Sequence, residues 1–174
     1  MEQNKLSIDT QCVQAGWTPK NGEPRQLPIY QSTTFKYEST EQMGRLFDLK
    51  ESGYFYSRLQ NPTCDSAAAK ITTLEGGVAG MLTSSGQAAS FYAVFNICEA
   101  GGHFIATNGI YGGTFNLFVV TMKKMGIDCT LVDLDASDEE LRAAFRPNTK
   151  LVFSETISNP GGRVCDIERF ARVA

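Results

Sequence analysis

The pattern of hydrophobic and polar positions changes near Asn61. Before it, no period of 2 or 3.6 is sustained. The stretch GWTPKNGEPRQLPIYQSTTF is broken at Gly16, Pro19, Gly22, Pro24 and Pro28, so residues 1–60 read as an irregular arm lying across another surface. Beyond it the pattern becomes regular. Pro62 suits the first turn of a helix that Gly76-Gly77 stops, and VAGMLT (78–83) reads as a short buried strand. Ala88, Phe91, Tyr92, Phe95 and Cys98 fall on one helical stripe that ends at Gly101-Gly102. The strand-like HFIAT follows, then the glycine-rich turn NGIYGGT. Phe115, Phe118, Val119, Met122 and Met125 form a second helical stripe closed by Gly126.

IDCTLVD reads as a third strand, and Ser137 with Glu140 predicts a capping box for a helix running to Phe145. KLVFSET is a fourth strand, NPGG breaks the chain, and DIERFARVA opens a last helix. Strands alternating with helices predict an α/β fold: a mainly parallel sheet with helices on both faces. Residues 61–174 are then the first part of that sheet domain. Four strands are few for a doubly wound sheet and the last helical pattern still runs at Ala174, so the sequence reads as a portion of a larger protein.

Composition narrows the class. Apolar residues make up 42% and charged residues 20% of 174, an ordinary globular balance, and a net charge of −3 offers no general attraction to nucleic acid or acidic membranes. No apolar run approaches the ~18 residues that span a bilayer, and the opening MEQNKLSIDT lacks the apolar core of a signal peptide. The five cysteines form no C-x-x-C pair. Cys98, Cys129 and Cys165 sit in or beside apolar segments, as small buried hydrophobes of a reducing cytosol do. One histidine makes a zinc site a poor expectation.

In a parallel α/β sheet, ligands lie at the carboxyl ends of the strands. TSSGQAA places Ser84, Ser85, Gly86 and Gln87 at a helix N-terminus, where amides without intrahelical partners favour an anion; plain capping by serine is the competing reading. The Lys of a P-loop and a G-x-G-x-x-G are both missing. Tyr111, between glycines, can stack on a planar ring and offer its hydroxyl as acid or base, or simply pack over a turn. Tyr56 and Arg58, two apart, face one side of an extended strand and together can grip a phosphate. Glu155 and Asn159 stand at the end of the fourth strand, suited to orienting a ring substituent.

The ordered set LPIYQSTTF, YSRLQNPT, LEGG, SSGQAA, YGGT and ETISNP resembles the Cys/Met-metabolism family of pyridoxal-phosphate enzymes over nearly the whole chain. That resemblance implies the fold type I large domain, incomplete here, with pyridoxal 5'-phosphate as cofactor. It implies that Ser85, Gly86 and Gln87 form a phosphate cup with the backbone of Gly86 and Gln87 donating, and that Tyr56 and Arg58 reach the same phosphate from a neighbouring subunit. Tyr111 would stack on the pyridine ring and assist proton transfer, Asn159 would lie near the ring's phenolic oxygen, and Glu155 is similar to the carboxylate just before it. The arm and the isoleucine of ETISNP look like the O-acetylhomoserine sulfhydrylase branch, a transferase using sulfide or methanethiol. Methionine γ-lyases usually place a cysteine where this chain has Gly113; these, and the cystathionine γ-synthases and γ-lyases, are the alternatives. A cytoplasmic homotetramer, a dimer of dimers, is implied.

The family's Schiff-base lysine and the aspartate that pairs with the pyridine nitrogen lie beyond the equivalent of Ala174, and Lys150 enters its strand from the wrong edge. The chain alone is therefore expected to be inactive, with the carboxyl-terminal half as its missing partner. An isolated non-catalytic fragment is the reading of another class, and a nicotinamide oxidoreductase lacks its glycine fingerprint here.

Overall fold

Three parallel strands carry the second half of the chain: β1 (His103–Thr107), β2 (Asp128–Val132) and β3 (Thr149–Phe153), in the order β2-β1-β3. In this computed structural model residues 6–174 are described; the first five residues of the expected arm lie outside them. Every residue of β1 is buried, as a central strand covered on both faces requires. Its period of two divides the core. Phe104 and Ala106 join Val94 and Cys98, from the α4 segment (Gly86–Phe95) and just beyond it, and Phe118 and Met122 from the helix after β1. Ile105 turns the other way, onto Leu141 of α6 (Asp138–Ala143) and Phe170 of α7 (Ile167–Val173). Helices therefore cover both faces, as the alternation predicted.

The helix after β1 departs from the expected stripe because its turns are not all α-helical. It starts as α5 (Gly112–Asn116) and continues from Leu117 to Met122 as a π helix, whose i→i+5 bonds widen each turn. The buried positions are consequently Thr114, Phe118 and Met122, spaced by four, while Phe115 and Met125 are substantially exposed. In α4 nearly every position is apolar, so periodicity could not choose a face: Val94 and Cys98 are buried with Phe91 beside them, and Tyr92 and Phe95 are about half exposed. The capping box of Ser137 and Glu140 forms as predicted.

The expected strand VAGMLT does not form. Val78, Met81 and Leu82 are exposed, and no other strand pairs with the segment among the described residues, so its amides and carbonyls have no ladder to join. The sheet has three strands instead of four.

His103 belongs to the scaffold. It stands at the amino end of β1, where Nδ1 lies 2.7 Å from Thr149 Oγ1 and Nε2 lies 2.8 Å from Thr130 Oγ1, so hydroxyls of both flanking strands satisfy it. Burial, reinforced by the charge of Arg146, pulls its pKa below the ordinary imidazole value. It stands at the end of the sheet away from the loops at the carboxyl ends of the strands.

Residues Met1–Leu82 form a separate compact unit, and Thr83–Ala174 the other. The division falls after Leu82 instead of after Gln60 because α3 (Pro62–Leu74) packs on α1 (Ile8–Gln14). Lys70 Nζ donates to the carbonyls of Cys12 (3.1 Å) and Val13 (3.2 Å), occupying acceptors at the end of α1. Gly16, at φ +87°, then passes so near the Ser66 carbonyl that no side chain fits. The arm is also less irregular than its prolines suggested. Besides α1, capped by Ser7, it holds α2 (Thr40–Phe47), capped by Ser39, both short helices that proline spacing conceals. No helix among the described residues is long and apolar enough to cross a membrane.

Candidate functional site

The loops at the carboxyl edge of the sheet bring together most of the residues singled out in the second unit. Ser85 is the N-cap of α4: its Oγ accepts from the Ala88 amide at 3.1 Å. The capping reading is thus correct for the serine side chain, and it leaves the amides of Gly86 and Gln87 at the first turn, where an anion is favoured by unpaired N–H groups and the helix dipole. Space above Gly86 is open, since a Cβ there would meet nothing within 4 Å. A serine cap and two open backbone amides coexist because the serine uses its side chain and the next two residues offer backbone.

Gln87 donates from its side-chain Nε2 to the buried Thr114 Oγ1 at 3.0 Å, joining α4 to α5. Tyr111 is the residue immediately before α5. Its amide donates to Glu155 Oε1 at 3.0 Å, and its ring is half exposed. Glu155 therefore spends one carboxylate oxygen on the Tyr111 backbone, tying the loop after β1 to the end of β3. A second tie between those strands is Thr107 Oγ1 to Ser154 Oγ at 3.1 Å.

Asn159 sits at the tip of a hairpin from Ile157 to Val164, exposed. Ser158 organises the turn: its amide donates to the Arg163 carbonyl (2.8 Å) and its Oγ accepts the Arg163 amide (2.9 Å). Among the described residues no hydrogen bond joins Asn159 to Ser85, Gln87, Tyr111 or Glu155, so the structure puts it on the same edge without linking it to them.

The third loop matters more than its sequence suggested. Asp133, at the end of β2, accepts from the Asp135 amide (2.9 Å), from Arg163 Nη2 (2.9 Å) and from Asn108 Nδ2 (3.0 Å), and these donors hold its carboxyl well below the usual carboxylate range. Arg163 also pairs with Asp135. One carboxylate thus ties the loop after β1 and the Asn159 hairpin to β2. Each pair is exposed and screened by solvent, so the effect is geometric. An aspartate closing a strand and an arginine just past NPGG were the available signals.

Tyr56 and Arg58 lie in the first unit. The extended strand expected there is a single antiparallel bridge, Thr34 to Tyr56, followed by a turn in which the amides of Leu59 and Gln60 both donate to the Tyr56 carbonyl. Strand alternation does not align the two side chains; the turn does. Arg58 Cζ stands 5.1 Å from the Tyr56 ring centroid, a cation–π contact that keeps guanidinium and phenol together. Asn61 Nδ2 braces the turn through Ser57 Oγ (2.9 Å) and the Tyr30 carbonyl (3.0 Å).

An open helix N-terminus beside a half-exposed tyrosine ring fits a phosphate joined to a planar ring. The lysines of this unit, Lys123, Lys124 and Lys150, all lie by the amino ends of β2 and β3, away from that place.

Comparison with known proteins agrees. The chain is 42% identical over 172 residues to an O-acetyl-L-homoserine sulfhydrylase of Corynebacterium glutamicum, covering 98% of this chain and 39% of that protein. It is 37% identical to an L-methionine gamma-lyase of Fusobacterium nucleatum, over 100% of this chain and 44% of that one. A solved Campylobacter jejuni structure, assigned as O-acetylhomoserine (thiol)-lyase and carrying N'-pyridoxyl-lysine-5'-monophosphate, superposes with a TM-score of 0.89 at 35% identity, over 97% of this chain and 41% of that one. The chain thus spans about two fifths of the length of these relatives. The fold is part of the fold type I pyridoxal-phosphate architecture. The family model for Cys/Met metabolism PLP-dependent enzymes matches residues 9–174, and the chain belongs to that family.

Proposed function

We propose that this chain is the amino-terminal part of an O-acetylhomoserine sulfhydrylase, which exchanges the γ-acetoxy group of O-acetylhomoserine for sulfide or methanethiol. Acetate leaves, and homocysteine or methionine forms. The observation that carries this reading is the open N-terminus of α4 beside Tyr111 at the carboxyl edge of the sheet. Pyridoxal phosphate, when bound, supplies the electron sink for bond changes at the substrate's α- and γ-carbons.

The chain's own residues bind and orient. The amides of Gly86 and Gln87 take phosphate oxygens, with Ser85 holding the cup's shape as N-cap. Tyr111 covers the ring and moves a proton at its hydroxyl. Glu155 keeps Tyr111 in place, and Asn159, carried by its braced hairpin, approaches the ring's oxygen substituent. Tyr56 and Arg58 reach the phosphate of a neighbouring subunit, which makes the working unit at least a dimer, with a dimer of dimers in the cytoplasm as the expected form. The lysine that would anchor the cofactor and the aspartate for the pyridine nitrogen are expected in the part of the relatives' length that this chain does not span.

A second reading, elimination from methionine, draws support from the methionine γ-lyase relative. Gly113 favours the first. The test is product analysis on the full-length enzyme. With O-acetylhomoserine and sulfide, acetate and homocysteine are expected in equal amounts. Methionine consumed faster than O-acetylhomoserine, with methanethiol released, would reverse the assignment.

A further inference from the structure

Asn159 is exposed at the tip of its hairpin, so its place depends on how the hairpin as a whole is held. The base is held by packing. Ser158 is buried, and Cys165, just past the hairpin, belongs to the buried cluster around Ile105 while its amide donates to the Thr156 carbonyl at 2.9 Å. The returning strand is held by charge. Arg163 pairs with Asp133 and with Asp135, both past the end of β2. Asp133 is itself fixed by the Asp135 amide and by Asn108 of the loop after β1. Those donors keep its carboxyl well below the usual carboxylate range, so it stays charged at ordinary pH.

We propose that Arg163 is a positioning residue: docked on Asp133, it sets the angle at which the hairpin presents Asn159 to the cofactor ring. A hairpin fixed only at its base can tilt, and a contact to the loop of another strand removes that freedom. Arginine suits the task because its planar guanidinium donates in fixed directions, whereas an ammonium is a point charge. The docking follows from contacts within this chain. Its consequence for the cofactor rests on the proposed place of Asn159 beside the ring's oxygen substituent.

The experiment uses the full-length protein in four forms: unsubstituted, Arg163→Met, Asn159→Ala and the double variant. Without cofactor, hydrogen exchange is followed at the amides of Gly162 and Arg163, which donate to Ser158 within the hairpin. Arg163→Met should speed both by about 2–10-fold while the amides of β1 stay unchanged. Unchanged exchange at Gly162 and Arg163 would overturn the docking. With pyridoxal phosphate added, the pH midpoint of its visible absorbance is read. An amide N–H beside the ring's oxygen favours the ionised form, so Asn159→Ala should raise the midpoint, and Arg163→Met should raise it by up to about one unit. In the Asn159→Ala background Arg163→Met should add nothing. A shift of equal size in both backgrounds, as loss of charge alone would give, overturns the positioning role. An unsubstituted protein that takes up no pyridoxal phosphate removes the cofactor reading, and the exchange rates still decide the docking.

Discussion

Replacing Tyr111 by phenylalanine in the full-length enzyme is expected to leave pyridoxal phosphate bound and to slow turnover by ~10²–10⁴-fold, the range for loss of a positioned proton-transfer group. The two parts of the side chain separate cleanly here. The ring lies beside Gly113, and the Tyr111 backbone is held by Glu155; neither contact uses the hydroxyl. Phenylalanine therefore keeps the stacking surface and loses only the proton. Because the side chain is half exposed, removing its hydroxyl costs little stability, so a fall in turnover would not reflect unfolding. Cofactor affinity within a few-fold of the original, with kcat depressed, is the pattern to look for. Near-normal kcat would take the proton-transfer role away from Tyr111.

The largest effect on stability is expected at Phe118. Its ring lies edge to face between Phe104 (centroids 4.9 Å, 85°) and Phe153 (4.8 Å, 83°), and it is fully buried in the cluster that also holds Val94, Cys98 and Met122. Phe118→Ala removes a whole ring from a site bounded by two strands and two helices, which cannot collapse around the gap. A loss of about 3–5 kcal/mol follows from cavity formation, to which the lost edge-to-face contacts contribute. Deleting the Ser85 cap, by comparison, costs about 1 kcal/mol. The core term wins, so Phe118→Ala should lower the denaturation midpoint several times further than Ser85→Ala. A smaller shift for Phe118→Ala than for Ser85→Ala would mean that this cluster is not what holds the unit together.

Much of this arrangement was legible in the sequence where one local rule acts alone. The strands β1, β2 and β3, the capping box at Ser137 and the cap at Ser85 follow from short-range pattern and hydrogen-bond chemistry. Where tertiary partners decide, the pattern misled. VAGMLT has strand composition, but a strand exists only beside another, and none lies next to it among the described residues. The stripe after Tyr111 has an α-helical period in the sequence, whereas the π turns shift the buried face onto Thr114, Phe118 and Met122.

The site shows the same division. Tyr111, Gly86 and Gln87 stand in glycine-marked loops that announce themselves. Asp133 and Arg163, thirty positions apart, become visible only once β2 and the Asn159 hairpin are neighbours. For Tyr56 and Arg58 the turn after the bridge, not strand alternation, sets guanidinium over ring.

The most direct test of the central claim is a crystal structure of the full-length protein with pyridoxal phosphate. The account predicts phosphate oxygens at ordinary hydrogen-bond distance, about 2.7–3.2 Å, from the backbone nitrogens of Gly86 and Gln87, with the pyridine ring against Tyr111. A cofactor whose phosphate binds elsewhere, leaving those two amides to solvent and the Tyr111 ring without a partner, would contradict it.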